Sequence, residues 1–218
     1  MTDLAARLRG FGPLGLIAIV VILAGNFLIA PLGAVLVLVW AQVSRTPWRE
    51  IGYVRPANWV VSIASGVAIG VTLKLLLKAI VMPLLGAPPL NQAYHYLIGN
   101  TSALPAILFY VTLAAGFGEE TLFRGYMFER FCKLLGSSTK STLLILLITT
   151  AWFAAAHYPE QGLPGVQQAT ITGLVFGGIY AVSRKIWVPM IAHAAFDITA
   201  IAIIYLNLES DIAHFFFK

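Results

Sequence analysis

The segment LPAILFYVTLAAGFGEETLFRGYMFERF, residues 104–131, is apolar over more than the roughly 20 residues that a membrane-spanning helix needs. It nevertheless carries Glu119, Glu120 and Arg124 near its middle. A charge at the centre of a membrane helix costs roughly 2.5–3.5 kcal/mol on insertion scales. Ionisable residues are rarely kept at such a cost without a use, so these three side chains are the first candidates for a functional site.

The composition of the whole chain is typical of a membrane protein. Of its 218 residues 59% are hydrophobic and 11% are charged, and the mean hydropathy is +0.86. Soluble domains contain about 45–50% apolar and about 25% charged residues, so we exclude a water-soluble fold and a disordered tail. A disulfide-stapled secreted module is excluded because Cys132 is the single cysteine. The net charge of +5 comes from scattered Lys and Arg residues, and we expect no nucleic-acid partner.

Apolar stretches separated by charged and Pro/Gly-rich segments predict an all-α fold, a polytopic transmembrane helix bundle of about seven spans within a range of six to eight. Glycine pairs at small-xxx-small spacing, Gly66/Gly70 and Gly173/Gly177, predict close contacts between helices. The predicted helices cover about residues 12–26, 29–44, 59–85, 104–132, 142–157, 168–183 and 187–206.

The distribution of basic residues predicts the orientation in the membrane. With the N-terminus inside, ten Lys and Arg residues lie on the cytoplasmic side and only Lys218 lies outside. We expect an integral, multi-pass protein of the cytoplasmic membrane, and the orientation inverts if the first two helices form one re-entrant element. Lys74 and Lys78 lie inside a span on one helix face, where they either snorkel or line a wet cavity. The ten inner residues are Arg7, Arg9, Arg45, Arg49, Arg55, Arg130, Lys133, Lys140, Arg184 and Lys185.

The charges of the fourth predicted span cannot balance within that helix. Glu120 and Arg124 are four residues apart with the acid nearer the N-terminus, which favours an ion pair. One Arg does not compensate two carboxylates, so Glu119 needs another partner, a proton or water. The sequence therefore predicts that other helices contribute polar groups beside Glu119.

Two further helices carry such groups. WFAAAH places Phe153 and His157 on one helix face, and HAAFD places His193 and Asp197 on one face. Counted at about 1.5 Å per residue from the basic inner loops, Glu119, His157 and Asp197 all lie roughly 18–22 Å deep. His193 lies one turn lower. We predict that these residues share one polar layer in the bundle.

Three motifs in this order resemble a known family. EETLFR (119–124), FAAAH (153–157) and HAAFD (193–197) are similar to the pattern EExxxR, FxxxH and HxxxN of the CAAX-protease and bacteriocin-processing family, also called the Abi family. The ordered set is more specific than any one motif. We treat residues 1–218 as a single transmembrane domain with the protease-like core at about 103–206.

The resemblance implies an intramembrane endopeptidase. In that family the first Glu and the His of the second motif are thought to activate a water, which assigns this role to Glu119 and His157. The last motif is thought to hold the oxyanion, which assigns His193 and Asp197 to that position. No cofactor is expected. The residues expected to support the site are Glu120, Arg124 and Phe153.

Other functions stay open on the sequence. Glu119, His157 and His193 are a possible zinc set with room for a water, which would make the protein a metal-dependent protease. A non-enzymatic immunity or partner-binding membrane protein, or a proton-coupled transporter, would also keep buried Glu and His. For a protease we expect membrane lipid and a hydrophobic or lipid-adjacent peptide substrate as partners. Prenylation of that substrate and the oligomeric state are left open.

Asp197 replaces the Asn of the family pattern and generates a first prediction. An ionised carboxylate only accepts hydrogen bonds, so we expect Asp197 to orient His193 rather than to hold an oxyanion itself. Asp197→Asn is then expected to retain much of the proteolytic activity, measured on the purified variant. Loss of cleavage in a variant that is still folded would contradict the orienting role.

Overall fold

The computed structural model describes residues 2–28 and 31–217, and all regular structure within these residues is helical. This confirms the all-α fold class. Two short 3-10 helices, Trp48–Ile51 and Gln92–Leu97, lie in the connections. The main helices are α1 (Thr2–Arg9), α2 (Pro13–Leu28), α3 (Leu32–Val43), α4 (Trp59–Leu84), α5 (Leu104–Leu135), α6 (Thr139–Ala156), α7 (Tyr158–Ser183), α8 (Trp187–Tyr205) and α9 (Glu209–Ala213).

The predicted number of about seven spans is not confirmed. Within the described ranges four helices, α4, α5, α6 and α8, are long and apolar enough to cross a membrane. A fifth span results if Asp3–Arg9 and Pro13–Asn26, which are bent by 58° to each other, count as one. All seven predicted helical segments contain a helix, but α3 has only 12 residues and α7 is more polar than the others.

Helix α7 begins ten residues before the start at 168 that the sequence predicted, at Tyr158. Pro159 lies in its first turn, where a missing backbone N–H costs no helical hydrogen bond. The helix is interrupted at Gly162, whose φ of 60° is a conformation that glycine adopts without strain. The polar residues of this first part hid the helical segment from a reading based on hydropathy.

The two glycine pairs pack helices together as predicted. Gly66 and Gly70 of α4 face α8, and a Cβ atom added at Gly70 would lie 2.2 Å from the carbonyl oxygen of Ala192. Gly173 and Gly177 of α7 face side chains of α6. Small residues allow these close approaches because lipid-exposed helices associate mainly through van der Waals packing.

Helix α5 is not a regular α-helix around its charged residues. Its segments Val111–Glu119 and Thr121–Met127 form wider π-helical turns, which often occur at functional sites. Both Glu120 and Arg124 are buried there, with 0% and 2% of their surface exposed. The wide turns therefore lie at the position where α5 carries its charges into the centre of the bundle.

The contact between α4 and α8 generates a prediction for Gly70→Ala. The new methyl group would meet a backbone oxygen that cannot move unless the two helices separate, and such overpacking costs about 1–3 kcal/mol. Thermal unfolding in detergent is expected to shift to lower temperature. Gly178→Ala is the matched control, because a Cβ atom there meets nothing within 4 Å. Equal unfolding temperatures for both variants would show that α4 and α8 are not packed this closely.

Candidate active site

A cavity of about 1020 Å³ lies in the bundle among α4, α5, α6, α7 and α8. The four residues that the sequence predicted as catalytic, Glu119, His157, His193 and Asp197, all line it. They come from α5, from the end of α6 and from α8, so the fold brings the three motifs to one place. The predicted polar layer therefore corresponds to a single cavity.

Glu120 is the centre of a buried charge network beside this cavity. Arg124 Nη1 donates a hydrogen bond of 2.8 Å to Glu120 Oε1, as the spacing of the two residues predicts. His193 Nδ1 lies 2.7 Å from the same oxygen. Arg124 Nη2 also donates to the carbonyl oxygen of Gly173, at 3.4 Å. One carboxylate oxygen thus joins α5 to α8, while the guanidinium extends the network to α7.

The second nitrogen of His193 faces two other carboxylates. His193 Nε2 is 3.8 Å from Glu119 Oε2 and 3.6 Å from Asp197 Oδ2, distances that exceed a direct hydrogen bond. The hydrogen bond that orients the ring comes from Glu120, whereas the sequence analysis assigned this task to Asp197. The reason is geometric, because Glu120 reaches Nδ1 from the neighbouring helix and Asp197 lies on the Nε2 side of the ring.

Glu119 is more accessible than Glu120. Its side chain is 21% exposed and lines the cavity, and its buried Oε2 atom accepts no hydrogen bond from the residues that the structure describes. Buried carboxylate oxygens are normally satisfied, so this atom needs a proton or a hydrogen-bond donor in addition to those that the described residues supply. Of the two adjacent acids, one is used in holding the helices together and the other faces the cavity.

His157 is held by the last turn of α6. Its Nδ1 lies 2.8 Å from the carbonyl oxygen of Phe153, and because a carbonyl only accepts, Nδ1 carries the proton. In the neutral ring Nε2 is then the nitrogen that can accept a proton. The ring of Phe153 lies 4.7 Å from that of His157 and 5.9 Å from that of His193, with Arg124 Cζ 4.6 Å from its centre. Phe153 therefore packs between both imidazoles and the guanidinium.

The zinc alternative draws its three donors from α5, from the end of α6 and from α8. It requires Glu119, His157 and His193 to converge on one point. Among the residues that the structure describes, no group of three or more His, Cys, Asp or Glu side chains is arranged to hold a metal ion.

Lys74 is a cavity residue that the sequence analysis left undecided between snorkelling and lining a cavity. It is buried and lines the cavity, and its Nζ donates to Gln168 Oε1 at 2.9 Å. The sequence did contain a signal, because Lys74 continues the helix face of Gly66 and Gly70, which predicts that it faces another helix. Lys78, one turn further, instead forms an ion pair with Glu209 at 2.8 Å.

The buried network generates a prediction for Arg124→Leu. Removal of the guanidinium leaves Glu120 buried without its cationic partner in the same helix, which costs about 3–5 kcal/mol in comparable cases. Thermal unfolding in detergent is expected to occur well below the wild-type temperature. Arg7→Leu is the control, because Arg7 and Asp3 form an exposed pair at 3.8 Å whose contribution is at most about 1 kcal/mol. Similar stabilities of the two variants would contradict the central role of the Glu120 network.

Comparison with known proteins gives a family match for part of the chain. Residues 101–199 match the family model of the type II CAAX prenyl endopeptidases, Rce1-like. The matched range contains all three motifs, EETLFR, FAAAH and HAAFD. Neither the curated proteins nor the solved structures include a match to the chain. Several of its helices are apolar and long enough for an integral membrane protein. Residues 101–199 are therefore similar to the type II CAAX prenyl endopeptidases, and this similarity covers a little less than half of the chain.

Proposed function

We propose that this protein is an intramembrane endopeptidase that hydrolyses a peptide bond in the cavity described above. The observation that carries the proposal is the convergence of Glu119, His157, His193 and Asp197 on one cavity from three motifs. Two imidazoles and two carboxylates in a pocket that restricts water are suited to general acid–base chemistry. The similarity of residues 101–199 to the type II CAAX prenyl endopeptidases supports a protease in general terms.

Glu119 and His157 are the proposed groups that activate the attacking water. Glu119 offers an oxygen without a partner in the protein, and a carboxylate partly removed from water is a better base than an exposed one. His157 offers Nε2, because its Nδ1 is occupied by the carbonyl of Phe153. A water between the two can transfer its proton to one of them as it attacks the peptide carbonyl. The same proton is then available to the leaving amine.

His193 is the proposed donor to the oxyanion that forms on the substrate. Donation from Nε2 while Nδ1 bonds to Glu120 requires the imidazolium form, in which both nitrogens carry protons. The carboxylates of Glu120, Glu119 and Asp197 are the countercharges around this ring. Glu120 fixes the ring before the substrate arrives, so little reorganisation is needed during the reaction. Asp197→Asn is still expected to retain activity, because an amide at that position can donate to the oxyanion as well.

The proposed substrate is a hydrophobic or lipid-adjacent peptide. The cavity wall includes Tyr110 of α5 and Trp152 of α6, side chains that are 43% and 38% exposed at the surface of the bundle. Leu28 of α2, also in the wall, is 77% exposed. A peptide or a lipid chain in the bilayer can therefore reach the cavity across an apolar surface.

The test uses the purified protein reconstituted in liposomes. A pooled library of hydrophobic peptides, some prenylated and some not, is added, and its cleavage is measured. We expect Glu119→Gln to lower the rate about 100-fold or more, because positioned acid–base groups contribute about 10²–10⁴-fold. Mass spectrometry of the products formed by the wild type and by Glu119→Gln identifies the cleaved peptides. Glu160→Gln is the matched control, since Glu160 lines the same cavity outside the three motifs and is exposed.

The outcomes separate this proposal from its alternatives. Wild-type rates in Glu119→Gln would refute the assigned base. Loss of cleavage with a chelator, restored by zinc, would instead establish the metal-dependent protease. The absence of any cleavage by the wild type would favour the immunity, partner-binding or transport functions.

A further inference from the structure

Lys74 is a buried cation in the wall of the cavity that also contains His193, the proposed oxyanion donor. It is 7% exposed, and its Nζ lies 4.8 Å from the centre of the Phe196 ring in addition to its hydrogen bond with Gln168. Neither of these neighbours carries a charge. Lys78 on the same face already has a direct carboxylate partner in Glu209. A buried ammonium is costly unless an anion balances it, so the anion that balances Lys74 needs to be identified.

The packing of α4 against α8 indicates which anion this is. Gly66, Gly70 and Lys74 are spaced four residues apart and share one helix face. That face contacts α8, where a Cβ atom at Gly70 would lie 2.8 Å from the backbone nitrogen of Phe196. One turn further along α4, Lys74 reaches the ring of Phe196 itself. The next residue of α8 is Asp197, which lines the same cavity as Lys74.

The charges around the cavity point to the same pairing. The acidic residues in its wall are Glu119, Glu160 and Asp197, and Lys74 is the only Lys or Arg among the described residues that line it. Asp197 directly follows Phe196, whose ring Lys74 contacts, whereas Glu209 is paired with Lys78. Lys74 and Asp197 form no direct ion pair, and both line the same cavity.

We propose that Lys74 is a positioning residue that balances the charge of Asp197 beside the oxyanion site. Without this cation, Glu119 and Asp197 share the imidazolium of His193 as their nearby cation, so the site becomes more negative where charge develops on the substrate oxygen. Such a charge opposes the transition state more than it opposes binding of a neutral peptide bond. The inference deepens the proposed function and rests on it for its catalytic part, whereas the charge pairing itself does not depend on activity.

The test is a double-mutant cycle with Lys74→Met, Asp197→Asn and the double variant. The first measurement is the thermal unfolding temperature in detergent. We expect the change caused by Asp197→Asn to be about 3 °C more favourable in the Lys74→Met background than in the wild type. For a peptide cleaved by the wild type, we expect Lys74→Met to lower kcat about tenfold with little change in KM. The double variant is expected to recover most of that loss. If Lys74 only filled space, the loss caused by Lys74→Met would not be recovered by removing a charge from another helix.

Lys78→Met, alone and with Asp197→Asn, is the matched control. Lys78 is paired with Glu209 and is absent from the wall of the main cavity, so its effects are expected to add to those of Asp197→Asn. If Lys74→Met does not fold, recovery of folded protein in the double variant supports the pairing, and failure of both variants to fold overturns it. Additive unfolding temperatures in the Lys74 cycle, or equal coupling in the Lys78 cycle, also overturn it. Coupling in the unfolding cycle without cleavage of any peptide would keep the charge pair and refute the protease.

Discussion

The carboxylate of Glu120 is the interaction on which the site depends. It is fully buried in a helix bundle whose surroundings are mostly apolar, where an anion is stable only with hydrogen bonds and countercharge. Arg124 supplies these from the same helix and His193 from α8. Because both donate to one oxygen, the pair that neutralises α5 also fixes the imidazole of α8. The contacts of Glu120 that hold α5 and α8 together are therefore the same contacts that orient His193 for the reaction.

Close helix packing extends this arrangement to the opposite wall. The glycine face of α4 allows α8 to approach until the backbones nearly touch, and the same face continues to Lys74. The ammonium of Lys74 is buried there, and no carboxylate among the described residues forms a direct ion pair with it. Its neighbours are instead Gln168 and Phe196, which hold the ammonium without neutralising it. The helix contact thus brings Lys74 of α4 and Asp197 of α8 to the wall of one cavity.

Much of this arrangement follows from the sequence. The positions of the helices, the Glu120–Arg124 pair and the meeting of the three motifs could be predicted, because charged groups in apolar helices have few stable environments. The partner of His193 could not, since Asp197 at four residues is the obvious neighbour and Glu120 is close only in three dimensions. The π-helical turns of α5 and the polar beginning of α7 were missed for a related reason. Hydropathy and spacing describe one regular helix at a time, whereas these features depend on contacts between helices.

The two imidazoles differ in what holds them in place. The ring of His157 is fixed by the carbonyl of Phe153 in the last turn of α6, so His157 is oriented as soon as α6 has formed. The ring of His193 is fixed by a residue more than seventy positions earlier in the chain, and it is ordered only when α5 and α8 have docked. A detergent that separates the helices without unfolding them would therefore first release His193, the proposed oxyanion donor. The protein would then be inactive although the ring of His157 still had its correct orientation.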